Sequence, residues 1–486
     1  MKKKVKLKKS LKKKVKHKVF RVRNLLSLFS LILIVVFIIF LNKLSLLPDK
    51  YTTLISCILL IVDFISICLI NVHKKVVLKV IGSIFMIFII AACSIGLYYL
   101  SSTNSFLDKT FTNKQLYEKN TYYVVTASSN KYKEADITDE VTAYKETRYL
   151  KKALKKLNNK YPVKLKTYDD IGLVFDNVLN KTDKFMLIEK SSYEIVFSIS
   201  NKYKRKDFDI LYEFDIYTKK KQNSSTNTDK FNVYVGGTDF AGLMDFNMIA
   251  TVNTKTHKIL LTSIPRDYYI EVDGKNGAKD KLSFMSAYGS DVNKNSLAKL
   301  FATDIDYDVI VNTDSLVEIV DYVGGIDFCS DITFTTTHAM VNNTYDDSGK
   351  KLTINKGCQK LNGIQALTVA RERNAFTGRD RVRQENCQKI IIAIFKKLVS
   401  TDTMLHYNET LNTLGSLYKT DIPKEVISNL SKDTLNNGNQ WKFETQSVDG
   451  TDGHDKVHLS NMVDWVMYPD TKTVEKAKNK IKETLK

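Results

Sequence analysis

The stretch LLTSIPRDYYIEV, Leu260 to Val272, breaks a hydrophobic run at Pro265 and then sets Arg266 beside Asp267. A strand end ordinarily hands over to a turn, so a charged pair there is either a capping arrangement or half of a site. A second group lies downstream in RERNAFTGRDRVRQ, where Arg371, Arg373, Arg379, Asp380, Arg381 and Arg383 fall within thirteen residues. Arginine suits phosphate oxygens, because its planar fork donates two parallel hydrogen bonds and keeps its charge. Asp239 and Asp245 stand six residues apart at two further strand ends. Two carboxylates near such arginines suit Mg²⁺, which takes carboxylate and phosphate oxygens together. Arginines, a metal and few neutralising acids imply a highly anionic ligand, and a pyrophosphate fits. A structural reading stays open beside this one: the arginine run as a solvated, salt-bridged helix face, and the aspartates as turn chemistry next to GG and AG.

These residues need elements to hold them. FNVYVGG, MIATVN and ILLTSI read as strands. LVEIVDYVGGI (316–326) reads as a helix ending in glycines, NGIQALTVARER (362–373) as a helix, and VRQENCQKIIIAIFKKLV (382–399) as a long amphipathic one. Alternating strands and helices predict an α/β layered fold. KKKQNSSTNTDK (219–230) reads as a polar linker. Before it, TYYVVTAS (121–128), SYEIVFSIS (192–200) and ILYEFDIY (210–217) read as strands, and VTAYKETRYLKKALKKLNN (141–159) as an amphipathic helix with a basic face. This region holds no paired acids and no His/Cys cluster, which predicts a small α/β accessory module.

The chain of 486 residues is long enough for several domains. Its net charge of +21 is concentrated at the start, where Lys2 to Arg23 carry eleven Lys and two Arg and no acid. Three apolar runs follow, Asn24–Leu41, Thr52–Val72 and Val76–Leu100, each long enough to cross a bilayer as a helix. The basic tail (1–23) and the Lys74–Lys75 connector are expected in the cytoplasm, so three spans place everything after about Leu100 outside. The tail's lysines fit topology setting and attraction to anionic lipid headgroups, and no nucleic-acid fold accompanies them. Asp63 in the second run is either a functional buried acid or a polar residue facing other helices. Six cysteines at irregular spacing predict no disulfide-dense scaffold or zinc cluster. Cys329 and Cys358 admit a disulfide or two free thiols. His257, His338, His454 and His458 lie outside the motifs and read as surface or structural residues.

The segment Phe231–Val399 resembles the LytR-CpsA-Psr (LCP) family of cell-envelope proteins. FNVYVGGTDF is similar to that family's first strand with its terminal Asp, and MDFNMIATVNTKTHKILLTSIPRDYYI to its Asp-containing strand, hairpin and Pro-Arg-Asp strand end. KLSFMSAYG, YVGGIDF, GCQKLNGIQAL and VARERNAFTGRDRVRQENCQ resemble downstream elements, and MVDWVMYPDTKTVEKAKNKI the terminal helix of the capsule-type branch. That branch has three spans, an accessory domain and then the catalytic domain. The implied organisation is a basic tail (1–23), three transmembrane helices (24–100), an accessory domain (112–220) and an LCP domain (230–486, motif core 231–399) built on a mixed sheet flanked by helices.

The resemblance implies a phosphotransferase. It would move an anionic glycopolymer, teichoic acid or capsular polysaccharide, from a polyprenyl pyrophosphate carrier to a muramic acid hydroxyl of peptidoglycan, leaving a phosphodiester. Asp239 and Asp245 would be the carboxylates for Mg²⁺. Arg266, Arg371, Arg373, Arg383, Lys281 and Gln388 would bind the pyrophosphate, and Asp380 would orient arginines or activate the acceptor. The polyprenyl tail would enter an apolar pocket between sheet and helices. Membrane lipids and capsule or teichoic acid assembly proteins are the further partners implied. Two departures stand out. The loop between the aspartates is short, with Leu243 and Met244 where the family often has Arg-Ser. Cys387 stands where a Gln is usual, with Gln388 next. Two rivals remain: a pyrophosphatase acting on the lipid-linked sugar, and a non-enzymatic membrane regulator or scaffold of envelope assembly.

Overall fold

The computed structural model describes residues 2–71, 75–108, 117–219, 225, 227–239, 242–289, 291–337, 339–341, 344–346, 351–378, 380–398, 417–437 and 441–486. Lys74, Thr112, His338 and Arg379 lie outside these. The chain forms two compact units, residues 1–109 with 424–440, and residues 110–423 with 441–486.

The first unit holds α1 (Lys2–Leu44), α2 (Asp49–Asn71) and α3 (Val76–Asp108). Three stretches of them are long and apolar enough to cross a membrane: Val22–Leu44, Asp49–Asn71 and Val76–Ser105. Asp63 of α2 is buried beside Ser30 of α1 and faces that helix. The stretch 424–440, expected in the catalytic domain, groups instead with these helices, and Lys424 Nζ donates to Asn104 Oδ1 at 2.9 Å.

Among its described residues the second unit contains two large sheets and five two-stranded ones. The first is the accessory module: β1 (Tyr117–Ala127), β2 (Glu140–Tyr144), α4 (Leu150–Asn158), β3 (Lys164–Tyr168), α5 (Ile171–Leu179), β4 (Met186–Glu189), α6 (Lys190–Ile199) and β5 (Phe208–Lys219), with strand order β3-β2-β4-β1-β5. Two sequence expectations fail here. VTAY (141–144) is a strand and not the start of a helix. It is buried on both faces, so its apolar residues do not alternate, and Tyr149 at φ 51° breaks the chain before α4. SYEIVFSIS is helix α6 and not a strand. Ser192, Tyr193, Ile195 and Val196 are buried at i, i+3 spacing, and this packing overrides the strand preference of its β-branched and aromatic residues. Tyr193 and Val196 enter the accessory core, while Ile195 joins Leu243, Phe284, Val457, Leu459 and Val466 in a core outside the accessory module.

The second sheet takes β6 (Lys230–Thr238), β7 (Met244–Asn253), β8 (Lys258–Ile264), β11 (Tyr307–Asn312), β18 (Tyr418–Thr420) and β19 (Lys442–Ser447) in the order β18-β11-β6-β7-β8-β19. The pairs β6–β7 and β7–β8 are antiparallel, while β11–β6 and β19–β8 are parallel. This is the mixed sheet that the sequence predicts. Between β8 and β11 come β9 (Tyr269–Glu271), β10 (Lys279–Lys281) and α7 (Val292–Phe301). After β11 come α8 (Thr313–Tyr322), β12 (Ile326–Ser330), the short strands β13 to β16 (334–335, 339–341, 344–346, 353–354), β17 (Gly357–Leu361), α9 (Gly363–Arg371) and α10 (Asp380–Leu398). The C-terminal part adds α11 (Lys424–Asn437, in the first unit), β20 (Gly450–Lys456), β21 (Val463–Pro469) and α12 (Thr471–Thr484). MVDWVMYP is therefore a strand, and the terminal helix starts only after Asp470, whose Oδ1 accepts from Lys472 N and Thr473 N. One core packs sheet residues Tyr234, Ile249 and Leu260 against α7 and α12, and a separate core joins α8, α9, α10 and β12.

Cys329 of β12 and Cys358 of β17 are cross-strand partners joined by a disulfide. The link closes a loop with a sequence separation of 29 and leads directly into α9. Loop-closure entropy predicts that Cys329→Ser/Cys358→Ser loses about 2–4 kcal/mol. A chemical-unfolding midpoint no lower than that of the wild type would contradict this.

Candidate functional site

The antiparallel order of β6, β7 and β8 brings the end of β6, the start of β7 and the end of β8 to one edge of the sheet. Asp239, Asp245 and Arg266–Asp267 sit at those three ends. Gly236 makes the close approach possible, since a Cβ there would lie 2.8 Å from Ile310 Cδ1 and 2.9 Å from Met244 Sδ. The backbone N–H groups of Asp239 and Asp245 both donate to Leu243 O, at 2.9 and 3.0 Å, so the two aspartates flank one carbonyl. Leu243 and Met244 are buried apolar side chains. The short loop is thus held by core packing where the family often has polar residues.

Asp245 is the centre of the charged cluster. Its Oδ1 accepts from Arg266 Nη1, its Oδ2 lies 3.5 Å from Arg371 Nη2, and its backbone O accepts from Arg383 Nη1 at 3.0 Å. Three arginines from three different elements therefore meet one residue. Arg383 Nη2 also lies 2.8 Å from Asp380 Oδ1, and Gln384 donates to Asp380 Oδ2 at 2.9 Å. The buried Nε of Arg383 has no acceptor. Arg373 is half-buried and pairs with no carboxylate among the described residues. Glu372, between Arg371 and Arg373, turns away from both. It accepts from Thr337 N at 2.6 Å and Ala375 N at 2.9 Å, which fixes the backbone that presents the two arginines.

A second layer backs Arg266. Asp267 Oδ2 lies 3.4 Å from Arg266 Nε, and its Oδ1 lies 3.0 Å from Lys281 Nζ. Lys281 Nζ also meets Asp464 Oδ2 of β21 at 2.8 Å. The structure thus brings together Asp245, Arg266, Arg371, Arg383 and Asp380, and sets Lys281 behind them between two carboxylates. Gln388 points elsewhere: its Nε2 donates to Gln446 O at 2.8 Å, and it lines a polar cleft of about 470 Å³ with Arg381, Glu385, Lys389 and Asp449. Cys387 is buried, with its Sγ 3.3 Å from Ala370 O, and burial pushes its thiol up to about 12. His257 packs on Trp441 and His458 on Tyr288, while His454 lies in β20. Sequence reasoning missed Asp464 and Glu372. Asp464 carries no local signal, since only the fold brings β21 to Lys281. Glu372 is legible in principle, as an acid between two arginines, like Asp380 between Arg379 and Arg381.

Burial works to raise the Asp245 carboxyl, yet Arg266, Arg383 and Arg371 outweigh it and hold the group below the usual carboxylate range. Asp380 is likewise held low against burial, by Arg383 and Gln384. Among the described residues no three His, Cys, Asp or Glu side chains gather as a metal cage. Both carboxylate oxygens of Asp245 meet arginines, and Asp239 Oδ1 accepts from Leu243 N at 2.9 Å.

The depressed values fix a pH prediction. A carboxylate with a lowered folded pKa contributes stability that is present above its unfolded value, near 4, and is lost as pH falls through the folded value. Asp245→Asn is expected to cost about 1.5–3 kcal/mol at neutral pH and to make the acid limb of stability shallower. Unfolding of both proteins at neutral and acid pH measures this, and an unchanged acid limb would count against it.

The model of the LytR_cpsA_psr family matches residues 193–483, more than half of the chain. The match begins inside α6, ahead of the boundary expected at 230. A relative from Enterococcus faecalis, the polyisoprenyl-teichoic acid–peptidoglycan teichoic acid transferase TagU, is 29% identical over 236 residues, or 47% of this chain and 73% of that one. The protein of the same name from Bacillus mycoides is 30% identical over 196 residues, covering 40% of this chain and 60% of its own length. The chain therefore spans less than two thirds of that second relative. The crystal structure of TagV from B. subtilis aligns with a TM-score of 0.44 at 21% identity, covering 54% of this chain and 98% of that one.

Proposed function

Because this chain belongs to the LytR_cpsA_psr family, we propose that it is a membrane-anchored phosphotransferase that moves an anionic glycopolymer from a polyprenyl pyrophosphate carrier to peptidoglycan. The observation that carries the reading is the convergence of Arg266, Arg371 and Arg383 on Asp245, with Arg373 beside Arg371 in sequence. Such a cluster is preorganised to hold a diphosphate and to neutralise charge as it develops. The names of the TagU relatives point to the same substrate class.

The reaction follows from that cradle. A muramic acid hydroxyl of peptidoglycan attacks the sugar-linked phosphorus. The new O–P bond forms, the bridging P–O bond breaks, and polyprenyl phosphate leaves with the bridging oxygen. The hydroxyl proton passes to a base or to water. Asp380, tied to Arg383 and Gln384 and low in pKa, suits an orienting role better than that of a strong base. Positioning and charge neutralisation do most of the work in phosphoryl transfer. Mg²⁺, held by Asp239 and Asp245, would supply further neutralisation of the diphosphate. The lipid's apolar chain would run along α10, where Ile391, Ile394 and Phe395 stay half-exposed beyond the arginines.

Three N-terminal helices long and apolar enough to cross a membrane would anchor this body. With the basic tail in the cytoplasm, three such spans would leave it outside. The Cys329–Cys358 disulfide supports an oxidising compartment.

Mass spectrometry of products tests the proposal. The protein is incubated with a polyprenyl pyrophosphate-linked saccharide, muropeptides and Mg²⁺, beside Arg266→Ala. Saccharide phosphate on the muropeptide is expected from the wild type, with a fall of about 100-fold or more in the variant. Free saccharide phosphate alone would favour the pyrophosphatase. Full activity of Arg266→Ala would refute the arginine cradle.

A further inference from the structure

The accessory module carries a surface that the transfer site does not use. Between Lys151 and Lys160 there are five lysines and no acidic residue, and all five are exposed. The same helix α4 spends its apolar side, Leu150, Ala153 and Leu157, on the module's own core. Lys151/Lys155 and Lys152/Lys156 are like-charge i, i+4 pairs on α4, which weaken a helix unless something else compensates them, and Lys160 follows just past its end. Little in the chain does so. Lys160 pairs with Glu134 at 2.7 Å, and Lys156 Nζ reaches the backbone O of Asp215. Lys151, Lys152 and Lys155 make no ion pair among the described residues.

Tyrosine rings are set among these lysines. Lys160 Nζ lies 4.3 Å from the ring centre of Tyr212 and 5.2 Å from that of Tyr161, and the two rings meet edge to face at 5.4 Å. Lys152 Nζ lies 5.3 Å over the Tyr149 ring. All three rings are half-buried, so part of each remains open. Cations at spaced intervals suit phosphate or carboxylate groups along a chain, and flat rings between them suit sugars.

We propose that this face of the accessory module binds the anionic glycopolymer chain itself, as a contact separate from the arginine cluster that takes the diphosphate. The inference rests on the transferase reading for the identity of the polymer. A membrane surface is the less suited partner, because the apolar side of α4 is buried and cannot insert, so a bilayer would meet the lysines alone and leave the tyrosine rings between them unused.

The test uses the full chain in nanodiscs of uncharged lipid and a fluorescent, lipid-free poly(ribitol phosphate). Wild-type affinity is expected to fall steeply between about 50 and 200 mM salt. Lys151→Glu/Lys155→Glu is expected to weaken binding about tenfold or more, with Lys151→Gln/Lys155→Gln intermediate and melting temperatures unchanged. Equal binding by wild type and the charge-reversed variant would overturn the proposal. So would lysine-dependent binding to phosphatidylglycerol vesicles without binding to the polymer. Arg266→Ala separates the two readings: it should lose transfer and keep polymer binding. Lysine-dependent binding by a protein that transfers nothing would defeat the transferase reading alone. Transfer with lysine-independent binding would defeat this inference alone.

Discussion

Asp245 is the constraint on which the site depends. Three guanidinium groups brought together without a counter-charge would repel one another and would not stay in place. One carboxylate with its own backbone carbonyl holds Arg266, Arg371 and Arg383 from the end of β8, the end of α9 and the start of α10. Asp267 and Asp380 also pair with Arg266 and Arg383, so three carboxylates face these three guanidinium groups, and Arg373, which pairs with no carboxylate among the described residues, adds the further positive charge. A diphosphate is the kind of ligand that would complete it.

Several supports converge on that one arrangement. Antiparallel pairing of β6, β7 and β8 sets the strand ends side by side. Asp267, Lys281 and Asp464 form a buried chain of charges behind Arg266, so the guanidinium is fixed from the rear as well as the front. Glu372 fixes the loop that carries Arg371 and Arg373. The disulfide pins the hairpin that feeds α9. Leu243, in the short loop between the aspartates, is held by a core that includes Ile195 of the accessory module. The accessory module thus braces Leu243, which lies between Asp239 and Asp245.

Much of this was legible in the sequence, for identifiable reasons. Strands β6 to β8 and helices α8 to α10 have clean apolar patterns, and their charged ends fall where the pattern stops. The signal fails where burial is two-sided or local preference conflicts with packing. β2 is buried on both faces and lost its alternation, and α6 has strand-like composition but packs with helical spacing. The split of MVDWVMYPDTKTVEKAKNKI into β21 and α12 turns on Pro469 and the Asp470 cap, which are readable only once a boundary is sought there. The site divides the same way. Arg266, Arg371, Arg383 and Asp380 lie in dense local motifs, whereas Asp464 reaches Lys281 across 183 residues of chain. Gln388 turned towards β8 and β19 because its neighbours on α10 decide which face it occupies, and a one-residue change of position moves a side chain about 100° around a helix.

The measurement that tests the central claim most directly is an experimental structure of the full chain with a short polyprenyl diphosphate and Mg²⁺. The account predicts diphosphate oxygens at about 3 Å from the guanidinium groups of Arg266, Arg371 and Arg383. A diphosphate bound elsewhere, such as in the polar cleft beside Arg381 and Gln388, with the three arginines still closed on Asp245, would contradict it.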